Sequence, residues 1–273
     1  MSVAPPNLLD AYLDRIGYRG DRAPTLATLQ EIQYLHVCTI PFENLDVHLG
    51  RGIRLDLAAV EQKIIHDRRG GYCFEQNALL QVVLERLGYE VIPLIGRVRW
   101  QVPAEVVTPQ THMVLMVLLK GRRYLVDGGF GSSSMTAALE IDTDTEQRTP
   151  HEPRRILCRE GAYVHQMWLG DRWADVYEFT LQPVRPVDYE VANWYTSAYP
   201  QSRFVLNLIV AITGEGVRHT LVNREFTSRW MDGRVEKREL TNPGELLDTL
   251  AHPFKLYFPA DTRFGPVDAR WPR

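Results

Sequence analysis

The sequence predicts an α+β protein, and three observations carry that prediction. Through most of residues 7–90, apolar residues recur at helical spacing. From about residue 90 the pattern shortens to β-rich runs separated by turn residues. Beyond about 190, strand and helix patterns mix, with no low-complexity linker and no internal repeat. The expected divisions are 1–90, 91–190 and 191–273, as packed subdomains rather than beads on a string.

The helices come first. NLLDAYLDRIGY places Leu8, Tyr12, Leu13 and Ile16 on one stripe, and Gly17 can end it. TLATLQEIQYLHVCTI repeats the pattern through Leu26, Leu29, Ile32 and Leu35. Leu57 to Ile65 reads as a shorter helix. The strongest helix runs from Cys73 to Leu87, with Leu79, Leu80, Val82, Val83, Leu84 and Leu87 apolar and Gly88 as its stop.

YEVIPLIGRVRW, HMVLMVLLK, RRYLVDGGF, RRILCRE, AYVHQMWLG and RWADVYEFT then read as strands of an antiparallel sheet or barrel. KGRR (120–123) is a tight turn between two of them, with Lys120 opposite Arg123. In the last third, NWYTSAYPQSRF is aromatic and polar. LNLIVAI and RHTLVN read as strands, REFTSRWMDG and VEKRELT as hairpin pieces, and NPGELLDTLAH as a capped helix.

The 273 residues carry 45% hydrophobic and 24% charged side chains, enough for a substantial core. A net charge of −3 with scattered Arg and Lys leaves no nucleic-acid footprint. MSVAPPNLLDAYLDRIGY has no basic stretch followed by an apolar run, as a signal peptide would. The longest apolar runs fall far short of the roughly 20 residues of a membrane span. A cytosolic protein, without membrane or nucleic-acid partner, is expected.

Three cysteines, Cys38, Cys73 and Cys158, are too few and too far apart for a disulfide framework or a zinc cage. Free thiols and no metal are expected. Cys73, in RRGGYCFEQN, opens the strongest helix. Exposed N–H groups and the macrodipole there favour a thiolate. A buried cysteine packing as a small hydrophobe is the competing reading. Cys38, on a helical stripe, and Cys158, inside a strand, fit that second reading better.

A cysteine nucleophile needs a base. Among eight histidines, His112 opens the apolar strand THMVLMVLLK and can project into a cleft, although a lone histidine is commonly a satisfied core group. YLVDGGFG ends the next strand with Asp127, a carboxylate amid apolar residues that needs a partner. With Lys120 opposite Arg123, Asp127 pairs with Met116 and shares a face with His112, four residues away, or roughly 13 Å. A bulge, coiling or another register must close that gap. Cys73, His112 and Asp127 then fill the roles of nucleophile, base and orienter. The glycine-rich turn DGGFGS (127–132) lacks a dinucleotide or P-loop fingerprint.

These stretches, with YLDRIGY, IPFENLD (40–46), HEP (151–153), YEFTLQP (177–183) and NWYTSAYPQSRF (193–204), resemble the arylamine N-acetyltransferase family, bacterial type, in order and along nearly the whole chain. The resemblance implies a helical bundle, a β-barrel and an α/β lid, with a cysteine-protease-like core where the first two meet. It implies Cys73 as acetyl acceptor, His112 as its base, Asp127 as third member, and acetyl-CoA as donor in ping-pong transfer. The acceptor would be a small aromatic amine, a hydrazine or an N-hydroxyarylamine. Phe42 and Phe130 match positions lining the acceptor pocket, with plain core packing as the alternative. Gly129, Gly131 and Phe204 are the expected coenzyme A contacts.

Two departures stand out. Gly128 replaces the family's usual valine, which would loosen the triad or widen the pocket. The sequence also ends with RFGPVDARWPR, where many relatives continue with more helix. The rival readings are an amide synthase of the same superfamily acting on a polyketide acyl chain, and a non-enzymatic binding protein. The latter would show a lost Cys, His or Asp, and all three are present.

Overall fold

The computed structural model describes residues 7–268 and Trp271; the first six residues and Ala269, Arg270, Pro272 and Arg273 of the terminal stretch lie outside it. Helix α1 (Leu8–Ile16) starts where the Asn7 side chain accepts from the Asp10 N–H, and ends at Gly17 with φ +76°. Helix α2 (Leu26–Thr39) is capped by Thr25. A short turn, α3 (Leu45–His48), precedes α4 (Leu57–Glu61), which widens into a π turn over Gln62–His66. Helix α5 runs Cys73–Arg86. These helices share a core in which Leu29, Ile32, Leu80, Val83 and Leu84 are fully buried against Leu115 and Val117 of the neighbouring sheet.

That sheet has seven strands in the order β5-β4-β3-β2-β8-β7-β6. They are β2 (Glu90–Val98), β3 (Gln110–Leu119), β4 (Arg122–Val126), β5 (Leu139–Glu140), β6 (Arg154–Arg159), β7 (Ala162–Trp168) and β8 (Trp173–Phe179). Gln147 draws its two edges together. Its side chain exchanges two hydrogen bonds with the Glu140 backbone, and its own backbone pairs with Arg154. The sheet is thus a nearly closed antiparallel barrel, filled by Leu94, Val114, Leu125, Ile156, Val176 and Tyr177.

The second sheet, β1-β9-β10-β11-β12, joins β1 (Phe42–Glu43) to β9 (Ile209–Gly214), β10 (Val217–Val222), β11 (Glu225–Trp230) and β12 (Val235–Glu239). With α8 (Pro243–Ala251) and α9 (Gly265–Asp268) it encloses a third core around Leu208, Val210, Leu221, Leu250 and Phe254. Between the sheets in sequence lie α6 (Pro186–Ala198) and α7 (Arg203–Leu206).

Two details differ from the sequence reading. The first half of the stretch described only as aromatic and polar, 193–198, is the end of helix α6. Tyr189 and Ala192 are buried, while Val187, Val191 and Trp194 are exposed, so its apolar residues do not form one inward stripe. The hairpin between β3 and β4 also turns one residue earlier than expected. Leu119 faces Arg122, and Lys120 and Gly121, at φ +51° and +77°, form a two-residue loop. The register is therefore shifted by two residues: Met116 pairs with Leu125, and Leu115 with Val126.

Candidate active site

Cys73 is the first residue of α5, and its surroundings fix the entry of that helix. Glu75 accepts from the Tyr72 N–H at 3.0 Å. Gln76 Nε2 donates to the carbonyls of Gly71 (2.7 Å) and Pro41 (3.1 Å). Gly70 must be glycine, because a Cβ there would lie 1.9 Å from the Pro41 carbonyl oxygen. Lys63 bonds Glu75 and Asp46, each at 2.7 Å, and Arg69 bonds Glu43 at 2.7 Å, beneath the same loop. Burial pushes the Glu75 carboxyl up to about 7, against the opposing pull of Lys63. The buried Cys73 thiol lies 3.6 Å from the Thr111 carbonyl oxygen, to which it donates.

His112 and Asp127 meet directly. His112 Nε2 and Asp127 Oδ2 are 2.8 Å apart, both buried. The shifted register explains how. Extended by one residue, it sets Asp127 level with Val114, two residues from His112 on the same face, or roughly 7 Å along the strand rather than 13 Å. A β-bulge between Gly96 and Arg97, opposite Thr111, lies at the same end of β3.

Asn77, one turn into α5, donates to Asp127 Oδ1 (2.9 Å) and to the Met113 carbonyl (2.7 Å). The Gly129 N–H also donates to Asp127 Oδ1 (2.9 Å). Burial alone would lower the His112 pKa, but the charge and hydrogen bond of Asp127, with a contribution from Cys73, raise it to about 10. Burial disfavours ionised Asp127, yet His112, Asn77 and Gly129 hold its carboxyl below the usual range.

The glycine turn packs on Cys73. A Cβ on Gly129 would lie 2.7 Å from Cys73 Cα, and one on Gly131 would lie 3.1 Å from the Phe42 ring. Phe130 meets the His112 ring edge-on, with centroids 5.1 Å apart, and Tyr177 covers its other side at 4.8 Å. Phe204 packs against Phe42 and Tyr72 at 5.9 and 5.8 Å. A cleft of about 520 Å³ opens beside Thr111, between Ile95, Gln110, Ala192 and Tyr195.

Gly128 neither widens a pocket nor frees Asp127. Its N–H is held by Asn77 Oδ1 at 2.8 Å, and the space over its Cα is filled by the His36 ring. Among the residues to which the sequence reading gave no role, Asn77 lies inside RRGGYCFEQN, and Tyr177 opens YEFTLQP.

Arg154 is wholly buried behind the site. It donates to the Ser133 and Ser134 carbonyls at 2.9 and 3.2 Å, and lies near Glu152, which Arg218 bonds through both carboxylate oxygens. Cys38 is half-buried, its thiol pushed up to about 11 by burial, and Cys158 is exposed. Among the described residues, no group of three His, Cys, Asp or Glu could hold a metal ion, and no helix is long and apolar enough to cross a membrane.

A family model described as N-acetyltransferase matches residues 25–263. The arylamine N-acetyltransferase of Mycobacterium tuberculosis is 42% identical over 252 residues, covering 91% of this chain and 89% of the relative. The chain belongs to the arylamine N-acetyltransferase family. A Salmonella typhimurium relative in that family, named arylamine N-acetyltransferase / N-hydroxyarylamine O-acetyltransferase, is 34% identical, covering 92% of this chain and 89% of its own. The structure of the Mycobacterium marinum family member in complex with CoA superposes with a TM-score of 0.90 at 38% identity, over 96% of this chain and 97% of that one. The helices, barrel and second sheet are thus the fold of this family, with the arrangement around Cys73 consistent with its cysteine-protease-like core.

Proposed function

We propose that this chain transfers acetyl from acetyl-CoA to arylamines, arylhydrazines or N-hydroxyarylamines through an acetyl thioester on Cys73. The observation that carries this reading is the His112–Asp127 hydrogen bond beside a thiol at the start of a helix. With its pKa raised to about 10, His112 is an imidazolium at neutral pH, the partner a thiolate requires. Cys73 Sγ attacks the acetyl carbonyl, the new C–S bond forms, and the bond to the coenzyme A sulfur breaks. His112 gives its proton to the departing thiolate.

The acceptor then attacks the thioester. Neutral His112 takes the proton from its nitrogen, or from the hydroxylamine oxygen, and Cys73 leaves as the thiolate. Asp127 keeps the ring oriented and stabilises its charged form. Phe42, whose ring backs Gly131, and Phe130, edge-on to the imidazole, are the aromatic walls for the acceptor. Gly129, Gly131 and Phe204 border the path of coenzyme A.

The test is brief incubation with acetyl-CoA alone, followed by intact mass and peptide mapping. One acetyl group on Cys73 is the expected result. Turnover with an arylamine but no acetylated Cys73 would replace ping-pong with direct transfer.

A further inference from the structure

Helix α2 carries two glutamines one turn apart that act as pieces of strand. Asp127 lies one residue beyond the end of β4, and β5, its neighbour on that side, is only two residues long. On the β5 side, the Asp127 backbone therefore has no strand beside it. Gln33, fully buried, takes that place. Its Oε1 accepts from the Asp127 N–H at 3.1 Å, and its Nε2 donates to the Asp127 carbonyl at 2.8 Å and to the Met135 carbonyl at 2.8 Å. Gln30 makes the same two-point contact with Ala138, at 2.8 and 2.9 Å. A carboxamide offers a donor and an acceptor side by side without needing a bound proton, as a peptide group does.

We infer that Gln33 is a positioning residue for the proposed triad: it fixes the Asp127 peptide, and through it the carboxylate that orients His112. Asn77 and Gly129 hold the Asp127 carboxylate, but both are side-chain restraints on a residue whose backbone is otherwise held only by Gln33 on that edge. Without Gln33, the Asp127 N–H and the Asp127 and Met135 carbonyls lose this partner. The strand end must then move to recover them, carrying the carboxylate away from His112. A displacement of about 1 Å suffices to cost on the order of a hundredfold in a catalytic step.

The inference rests on the Cys73–His112–Asp127 reading, and its test separates the two. The rate of Cys73 alkylation by iodoacetamide, followed by peptide mapping, is measured against pH for the wild type, D127N, Q33L and Q30L, with thermal midpoints for each. D127N should displace the profile. Q33L should displace it in the same direction and slow alkylation at neutral pH about tenfold, the scale of one lost buried hydrogen bond. Q30L should lower the midpoint and keep the wild-type profile. A wild-type profile in Q33L beside a displaced D127N, or equal displacement in Q30L, overturns the positioning role. An undisplaced D127N overturns the triad reading and this inference with it. Should Q33L not fold, Q33M, closer in shape to glutamine, is read by the same criteria.

Discussion

The His36 ring stands where a side chain at position 128 would go: a Cβ on Gly128 would lie 2.6 Å from His36 Nε2. His36 is not free to retreat. Its Nδ1 is 2.8 Å from the Tyr12 hydroxyl and its Nε2 is 2.9 Å from Gln76 Oε1. Burial lowers its pKa to about 4, so it is neutral at physiological pH and donates to Gln76 from Nε2. G128A is expected to destabilise by about 1–3 kcal/mol, the usual cost of overpacking. The cost should shrink in an H36A background. A double-mutant cycle by denaturant unfolding checks this, and additive effects would show that the two positions do not compete for space.

Replacing the thiol isolates the chemistry from the fold. C73S is expected to abolish acetyl transfer to an arylamine, because a hydroxyl facing the same base is far less nucleophilic. Its thermal midpoint should stay near that of the wild type, since oxygen for sulfur changes little volume. Steady-state transfer assays and calorimetry read the two effects. Retained transfer in C73S would remove Cys73 from the mechanism.

The raised pKa of His112 links stability to pH. Folding moves this group from its ordinary value of 6.5 to about 10, so the folded state binds its proton more tightly. The resulting stabilisation is fully present below about pH 6.5, declines as pH rises, and is gone above about pH 10. Thermal midpoints across that window should fall more steeply for the wild type than for H112Q. Parallel curves would place the imidazolium elsewhere. On the acid side, Asp127 acts in the opposite sense: its contribution is present above its ordinary value of 3.8 and lost as pH falls through its lowered pKa.

Arg154 supports the loop that carries Phe130. R154M should destabilise by about 3–5 kcal/mol, as when one partner of a buried charged set is removed. It leaves the Ser133 and Ser134 carbonyls without their donor. Urea unfolding of R154M and of R155M, at the neighbouring and more exposed arginine, gives the comparison. Equal losses would show that burial of the guanidinium does not matter.

The sequence reached the helix of Cys73 because glycines, a strong apolar period and a stop at Gly88 all agree there. It could not reach the pairing of β3 with β4. That depends on Lys120 adopting φ +51°, a conformation that a lysine does not advertise. It also read α2 as a helix with an apolar stripe through Leu26 and Leu35. In fact Leu26 is exposed, while Gln33 and His36 point inward with Leu29 and Ile32. A polar residue on a helix is taken to face water unless something nearby needs its hydrogen bonds. Here the needy groups, Asp127 and Gln76, are 94 and 40 residues away. Helix α6 was hidden for the opposite reason: its apolar residues are spread around the helix, several of them on the outside.

The two-residue loop at Lys120 and Gly121 acts as a ruler for the spacing of the proposed His112–Asp127 pair. His112 and Asp127 lie on either side of it, on two strands that leave the loop in opposite directions along the chain. One inserted residue there would turn one of the pair toward the opposite face of the barrel wall. Moving the loop one residue along the chain, to Gly121 and Arg122, would keep the face but restore the longer separation. Length variation among homologues should therefore be absent from this tip, although it is an exposed hairpin, the kind of place where insertions are usually tolerated.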